Sequence, residues 1–217
     1  PPPPPPPPPP DPGGGEADPP DEDEDPDGEQ SERVFSDVHE DAWYGEAVLR
    51  LAEQEVVAGY PDGTYRPEDV ITRAQMAQLL SRALGDGPSD PPDDGVGRFS
   101  DVREDAWYGP AVRRLASLGV VQGCGDGGSY CPDSVVTRAQ MALFLHRAYD
   151  LDAPERTSPS FDDVGADHYA YEAVESLVEA GITAGCRTDP ALYCPNGVVT
   201  RAQMAVFLSR SLDLSGG

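Results

Sequence analysis

The hexapeptide Thr-Arg-Ala-Gln-Met-Ala stands at residues 72–77, again at 137–142 and again at 200–205. Each copy reads as a helix start. Thr sits at the cap and Gln three residues later, the reciprocal pattern of a capping box. Past the first copy, Met76, Ala77, Leu80, Ala83 and Leu84 fall at helical spacing and predict a buried face. The cap accounts for Thr, Gln, Met and Ala, but not for the arginine. Arg73, Arg138 and Arg201 take the first helical position, where a cation opposes the helix dipole at a cost of roughly a few tenths of a kcal/mol. Two readings stay open. Each arginine pairs with a local carboxylate such as Asp37, Asp101 or Asp163, or each contacts a ligand, since helix N-termini are natural anion sites.

Outward from the hexapeptide the chain is threefold. The units open FSDVHEDAWYGEAV at 35–48, FSDVREDAWYGPAV at 99–112 and FDDVGADHYAYEAV at 161–174. Each runs through an apolar helical pattern and a Gly-rich turn to its hexapeptide. Acidic, Pro-rich joints separate them, which divides the chain into repeats at 35–86, 99–151 and 161–214 with joints at 87–98 and 152–160. A period of this length marks stacked or ring-like supersecondary units. One unit is too small to bury a core alone, so the three should share one. The expected class is all-α.

Asp41, Asp105 and Asp167 precede the first helix of each unit and are candidate caps. The apolar stripe of that helix is Ala47, Val48, Leu51, Ala52 and Val56 in unit one. Its counterparts include Val112, Leu115 and Ala116, then Val174, Leu177 and Val178. Gly119 and Gly181 sit where a left-handed C-terminal cap is expected. Glu55 takes that place in unit one, which predicts a different or strained turn there.

Residues 1–34 are another material. Ten prolines, about 31 Å long as polyproline II, precede a glycine run and an acidic stretch with almost nothing apolar to bury. This tail is expected to be a disordered spacer. Asp23, Asp25, Asp27 and Gly28 match the start of a calcium loop, but Val34 stands where its closing Glu belongs and Pro26 interrupts it; a solvated acidic linker is the other reading.

The 217 residues carry 40 acidic side chains against 15 basic ones, all arginine, for a net charge of -25. Such a surface repels nucleic acid and anionic membranes, so neither is an expected partner. No apolar run approaches the roughly 18 residues of a membrane span. With no initiator Met and no signal-peptide pattern, the chain is expected to be a piece of a longer precursor.

Cys124 and Cys131 stand seven apart, Cys186 and Cys194 eight apart, and unit one has Tyr60 and Arg66 at the aligned positions. Both positions change together, as a covalent pair requires. Two loop-closing disulfides are expected and would place the chain outside the cytosol. Zinc is the alternative, without C-x-x-C spacing or a nearby histidine.

The combination F-x-D-V, W-Y, an alanine-rich helix, G-Y-P-D-G-T-Y-R-P and T-R-A-Q-M-A resembles the S-layer homology family, three units in tandem over 35–214. The resemblance implies a pseudo-threefold bundle of helical hairpins with grooves between units. It implies a module that tethers secreted proteins to the cell wall through a secondary cell wall polysaccharide, often one bearing acidic pyruvylated sugars. Carried over by position, the groove arginine falls on Arg73, Arg138 and Arg201, and the acidic position on Asp37, Asp101 and Asp163. The aromatic falls on Trp43, Trp107 and Tyr169, and the turn glycine on Gly59, Gly123 and Gly185. The family's T-R-A-E glutamate is glutamine here in all three units, which keeps the cap and removes a charge. Tyr169 in place of tryptophan implies a weaker third groove.

From chemistry alone, arginine offers a fork to a carboxylate, tryptophan a flat face to a sugar ring, and a helix N-terminus free amides. The plainer reading of Trp43 and Trp107 is core packing, since a large aromatic is mostly buried. If the arginines read an acidic sugar, replacing Arg73 and Arg138 by Ala should spare folding and weaken wall binding. No catalytic constellation stands out, and no cofactor or metal is called for. His39, His146 and His168 are not in aligned places and have no nucleophile motif beside them. Two functions remain: a polysaccharide-binding wall anchor at the cell surface, with a fused or associated surface protein, or a protein-interaction and self-assembly module without polymer.

Overall fold

A computed structural model describes residues 34–85, 99–103, 105–125, 127–154 and 158–215. The expected tail, with its calcium-like aspartates, lies outside these residues apart from Val34, and so does the joint at 87–98. The described residues form six helices: α1 (Gly45–Glu53), α2 (Arg73–Ala83), α3 (Gly109–Ser117), α4 (Arg138–Ala148), α5 (Tyr171–Glu179) and α6 (Arg201–Ser215). A two-residue hairpin of β1 (Arg187–Thr188) and β2 (Ala191–Leu192) decorates the turn of unit three.

The second helices start where the hexapeptide places them. Thr72 and Thr137 accept from the amides of Gln75 and Gln140, and both glutamines return the bond. Thr200 and Gln203 repeat the pair. The first helices do not start at the aspartates. Their caps are Tyr44, Tyr108 and Ala170, with no side-chain capping bond. The segment ahead is consumed by tight turns, the amides of Ala42 and Gly45 bonding the carbonyls of His39 and Ala42 at 3.1 and 2.8 Å. Asp41 therefore lies outside the helix it was expected to cap.

Backbone hydrogen bonds lock the units into a ring. Ile71 N–H reaches Val199 O at 3.0 Å, Val199 N–H reaches Val136 O at 2.9 Å, and Val136 N–H returns to Ile71 O at 3.1 Å. Directly after this ring the three second helices leave side by side, burying Met76, Met141 and Met204 with Leu80, Leu145 and Leu208. The strongest helix pairs cross unit borders: α2 packs on α3, α4 on α5, and α6 on α1. Each first helix thus completes the core of the unit before it, which is why a single unit could not fold on its own stripe.

The aspartates of F-x-D-V have a structural task. Asp37 accepts the amides of Tyr65 and Arg66 at 2.6 and 2.7 Å. Asp101 holds those of Tyr130 and Cys131, and Asp163 those of Tyr193 and Cys194. Each bond pair pins the second residue in left-handed backbone, at φ 58° for Arg66 and Cys131 and 60° for Cys194. The cysteines pair as expected, Cys124 with Cys131 and Cys186 with Cys194, with Cα atoms 6.1 and 6.0 Å apart. In unit one the aligned residues are also in contact. The Arg66 guanidinium lies 3.9 Å from the Tyr60 ring centre, a cation–π closure in place of the covalent one.

Glu55 adopts the same left-handed turn as its glycine counterparts, at φ 58° against 71° for Gly119 and Gly181. A side chain there carries a strain that glycine lacks. Glu55→Gly is expected to raise the unfolding free energy by about 1 kcal/mol, read as a shift in denaturant midpoint at unchanged m-value.

Candidate functional site

The hexapeptide arginines sit inside the protein, with 5–7% exposure. Each crosses to the next unit. Arg73 Nε donates to Tyr130 O at 2.7 Å, and the Tyr130 hydroxyl donates back to Arg73 O at 2.9 Å. Arg138 and Tyr193 repeat this exchange, and Arg201 closes the circle with Tyr65. Each guanidinium also lies over its tyrosine ring, 4.3–4.7 Å from the centre. The salt-bridge reading does not describe this. The nearby aspartates are engaged by backbone amides, and the arginines bond carbonyls. Burial pushes the Arg73 and Arg138 guanidinium groups below their ordinary value; an arginine keeps its charge through such a shift.

The helix N-termini are also occupied. The amides of Arg73 and Ala74 bond Ser134 O and Pro132 O, those of Arg138 and Ala139 bond Gly197 O and Pro195 O, and those of Arg201 and Ala202 bond Asp69 O and Pro67 O. The third amide goes to the capping threonine. The free amides expected there for an anion are thus spent on the neighbouring unit.

Above this frame lie grooves whose walls come from three units. The first is lined by the turn Ala58–Gly59–Tyr60, by Gln75, Gln78 and Arg82 of α2, by Trp107 of unit two and by Arg201 of unit three. A second has the same plan moved round the ring: the turn at 182–186, Gln203 and Arg210 of α6, Trp43 of unit one and Arg138 of unit two. The turn glycines let backbone and ring pack closely below. A Cβ on Gly59 would lie 2.5 Å from the Phe35 ring, and one on Gly185 would lie 2.5 Å from Leu192 O and the Phe161 ring. At Gly123 a Cβ would meet Gly127 O at 2.5 Å.

The tryptophans are not core: Trp43 is 65% and Trp107 37% exposed, and Tyr169 is exposed at 64%. Each tryptophan is braced edge-on by the next tyrosine, Tyr44 or Tyr108, at 5.3 Å. The sequence grouped each arginine with the aromatic of its own unit. The structure groups Trp107 with Arg201 and Trp43 with Arg138. Tyr169 therefore does not weaken the groove of unit three's own turn and helix, because Trp43 stands there.

The two grooves differ in their donors. The Arg201 Nη2 atom is held by Ala58 O at 3.0 Å and that of Arg73 by Gln122 O at 2.9 Å. The Arg138 Nη2 atom is buried without a hydrogen-bond partner among the described residues. Sequence reasoning missed Arg82 and Arg210. The signal was present: Arg82, Arg147 and Arg210 each follow a hexapeptide arginine by nine residues, one of them per second helix.

The S-layer homology domain family matches residues 34–77, 98–142 and 160–186, together just over half of the chain. An S-layer protein of Bacillus thuringiensis subsp. finitimus is 31% identical over 181 residues, which is 82% of this chain and 21% of that protein. An amylopullulanase of Thermoanaerobacterium thermosulfurigenes is 27% identical over 85% of this chain and 10% of its own length. A cellulosome-anchoring protein of Acetivibrio thermocellus is 27% identical over 71% of this chain and 35% of its own length. The chain belongs to the S-layer homology family and spans about a fifth or less of the first two relatives.

Two outcomes follow from the buried frame. Arg201→Ala strands the carbonyls of Tyr65 and Ala58, so chemical denaturation should show a loss of about 3 kcal/mol and not the intact folding that a surface arginine would allow. Burial pushes the Tyr65 hydroxyl from 10.0 up to about 12, and raises Tyr130 and Tyr193 as well. The folded state then holds protons that the unfolded state releases. Their stability contribution is complete below pH 10.0 and is lost as pH rises toward 12. Tyrosinate absorbance of these residues should appear together with the loss of helical circular dichroism.

Proposed function

We propose that this chain is a non-catalytic anchoring module that binds a secondary cell wall polysaccharide in the grooves between repeats and so tethers a surface protein to the wall. Membership in the family places the chain at the cell surface, in the compartment where its disulfides persist. The observation that carries the polysaccharide reading is the pair of half-open clefts. Each sets an exposed tryptophan beside arginine and glutamine side chains on a rigid floor. A flat aromatic face with convergent amide and guanidinium donors suits a sugar ring that carries hydroxyls and an acid.

The proposal includes the division into repeats at 35–86, 99–151 and 161–214 about a pseudo-threefold axis, which the cyclic Arg–Tyr and backbone bonds support. It assigns ligand contact to the groove side of Trp43, Trp107, Gly59 and Gly185. Arg138 and Arg201 form the floor, and Asp37, Asp101 and Asp163 shape the turns from behind. Arg73 and Gly123 hold the corresponding place beneath the turn of unit two, and by the same rotation Tyr169 is their aromatic. Nucleic acid, membrane insertion and cofactors have no part in this reading. Among the described residues no helix is long and apolar enough to cross a membrane. The fused or associated protein that is tethered would supply any catalysis.

The test is sedimentation with purified cell walls. Trp43→Ala and Trp107→Ala should each weaken binding about tenfold with melting unchanged, because both rings are exposed. Walls stripped of their secondary polymer should retain nothing. Undiminished binding to stripped walls would instead support the protein-interaction reading.

A further inference from the structure

The two tryptophan grooves do not offer the same cation to a ligand. In the Trp107 groove, Arg201 is committed to the frame. Its Nε and Nη2 atoms bond Tyr65 O and Ala58 O at 2.7 and 3.0 Å, and its plane lies between the Tyr65 and Tyr60 rings. Turning it toward a ligand would break an inter-unit bond and strand a carbonyl. Arg82 is differently placed. It lines this groove from α2, and it also lines the adjoining cavity beside Trp107 that extends to Gln54, Glu55 and Arg114. Its side chain is half-buried, and among the described residues no hydrogen bond, ion pair or ring contact engages its guanidinium group. Arg210 at the same helix position is not so placed, because its Nη1 donates to Ile182 O at 3.1 Å.

We propose that Arg82 is the residue that takes the acidic group of a saccharide in the Trp107 groove, with Trp107 under the ring and Arg201 as fixed floor. The inference rests on the polysaccharide reading above and deepens it. On a chain with a net charge of -25, an anion needs a local cation with unspent donors, and Arg82 supplies a fork for a carboxylate. The neutral cap supports it. Gln75 lines the same groove, and a glutamate there would cap α2 equally well while setting a negative charge beside the arriving acid. The Trp43 groove has the reverse arrangement. Its helix arginine, Arg210, is tied, and the donor without a partner among the described residues is Nη2 of the floor arginine, Arg138.

The chain has two tryptophans, one in each groove, so Trp43→Phe makes Trp107 the sole fluorescent reporter of its own site. That variant is titrated with methyl glucuronide and with uncharged methyl glucoside. Trp107 emission should respond to the acid with a Kd about tenfold lower than to the neutral sugar. Arg82→Gln, a change at a half-buried helix position, should abolish the difference and leave the melting curve as it was. Arg82→Lys, with the charge but no fork, should keep part of it. An acid preference at Trp107 that survives Arg82→Gln overturns the assignment, as does a Trp107 signal that never distinguishes acid from neutral sugar. Wall sedimentation of the same variants separates this failure from that of the anchoring reading. Wall binding that persists while Trp107 shows no acid preference sinks Arg82 alone. An acid preference lost in Arg82→Gln, in a protein that ignores walls, sinks the anchor and leaves the site.

Discussion

Everything in this molecule hangs on a two-way exchange between an arginine and a tyrosine of different units. The arginine gives its Nε proton to the tyrosine carbonyl, and the tyrosine hydroxyl gives its proton to the arginine carbonyl. Three such exchanges, with partners 57, 55 and 136 residues apart, join three stretches that could not hold a core alone. The cost of placing a cation at the first turn of a helix is met by two hydrogen bonds and a ring face in a dry site, where each counts for more than it would in water. The helix N-terminus loses its appeal to an outside anion for the same reason: its amides are already bonded to the next unit.

The ring also decides where a ligand can sit. Because each first helix packs on the second helix of the preceding unit, the aromatic that opens unit two stands over the turn of unit one, and the arginine below it arrives from unit three. A groove is therefore complete only when all three units are present. The closing contact, between Arg201 and Tyr65, spans the longest loop and is entropically the most expensive to form. Losing unit three would open both tryptophan grooves, since one takes its floor from it and the other its turn and helix.

What the sequence made legible was local. The capping boxes, the buried methionines and leucines, the strained Glu55 turn and both disulfides are written within a few residues of one another and appear where expected. What it hid was relational. The partner of Arg73 is a carbonyl in the next unit, and carbonyls leave no mark in a sequence. Asp41 looked like a cap because nothing local announces that tight turns will use up the residues behind it. Trp43 and Trp107 read first as core, and only the packing of neighbouring tyrosines and helices left them outside. Arg82 was legible in principle, through its spacing of nine from Arg73, but that no described residue engages its guanidinium is a property of the folded ring.

Stability and the recognition proposed above are therefore divided between two layers of arginine. The floor arginines are buried, bonded to backbone and repeated without exception, so changing one alters the frame before it alters any groove. The helix arginines stand one layer higher and are free to differ: Arg210 is tied to the turn of its own unit, whereas the guanidinium of Arg82 is not. A scaffold whose floor repeats the same arginine–tyrosine exchange in each unit thus carries walls that vary. The turns show the same division, because unit one closes its turn with a ring and a guanidinium where the other two use a covalent bond. Symmetry is enforced where the units grip one another and relaxed where they face solvent, and the grooves acquire separate chemistries on that outer layer.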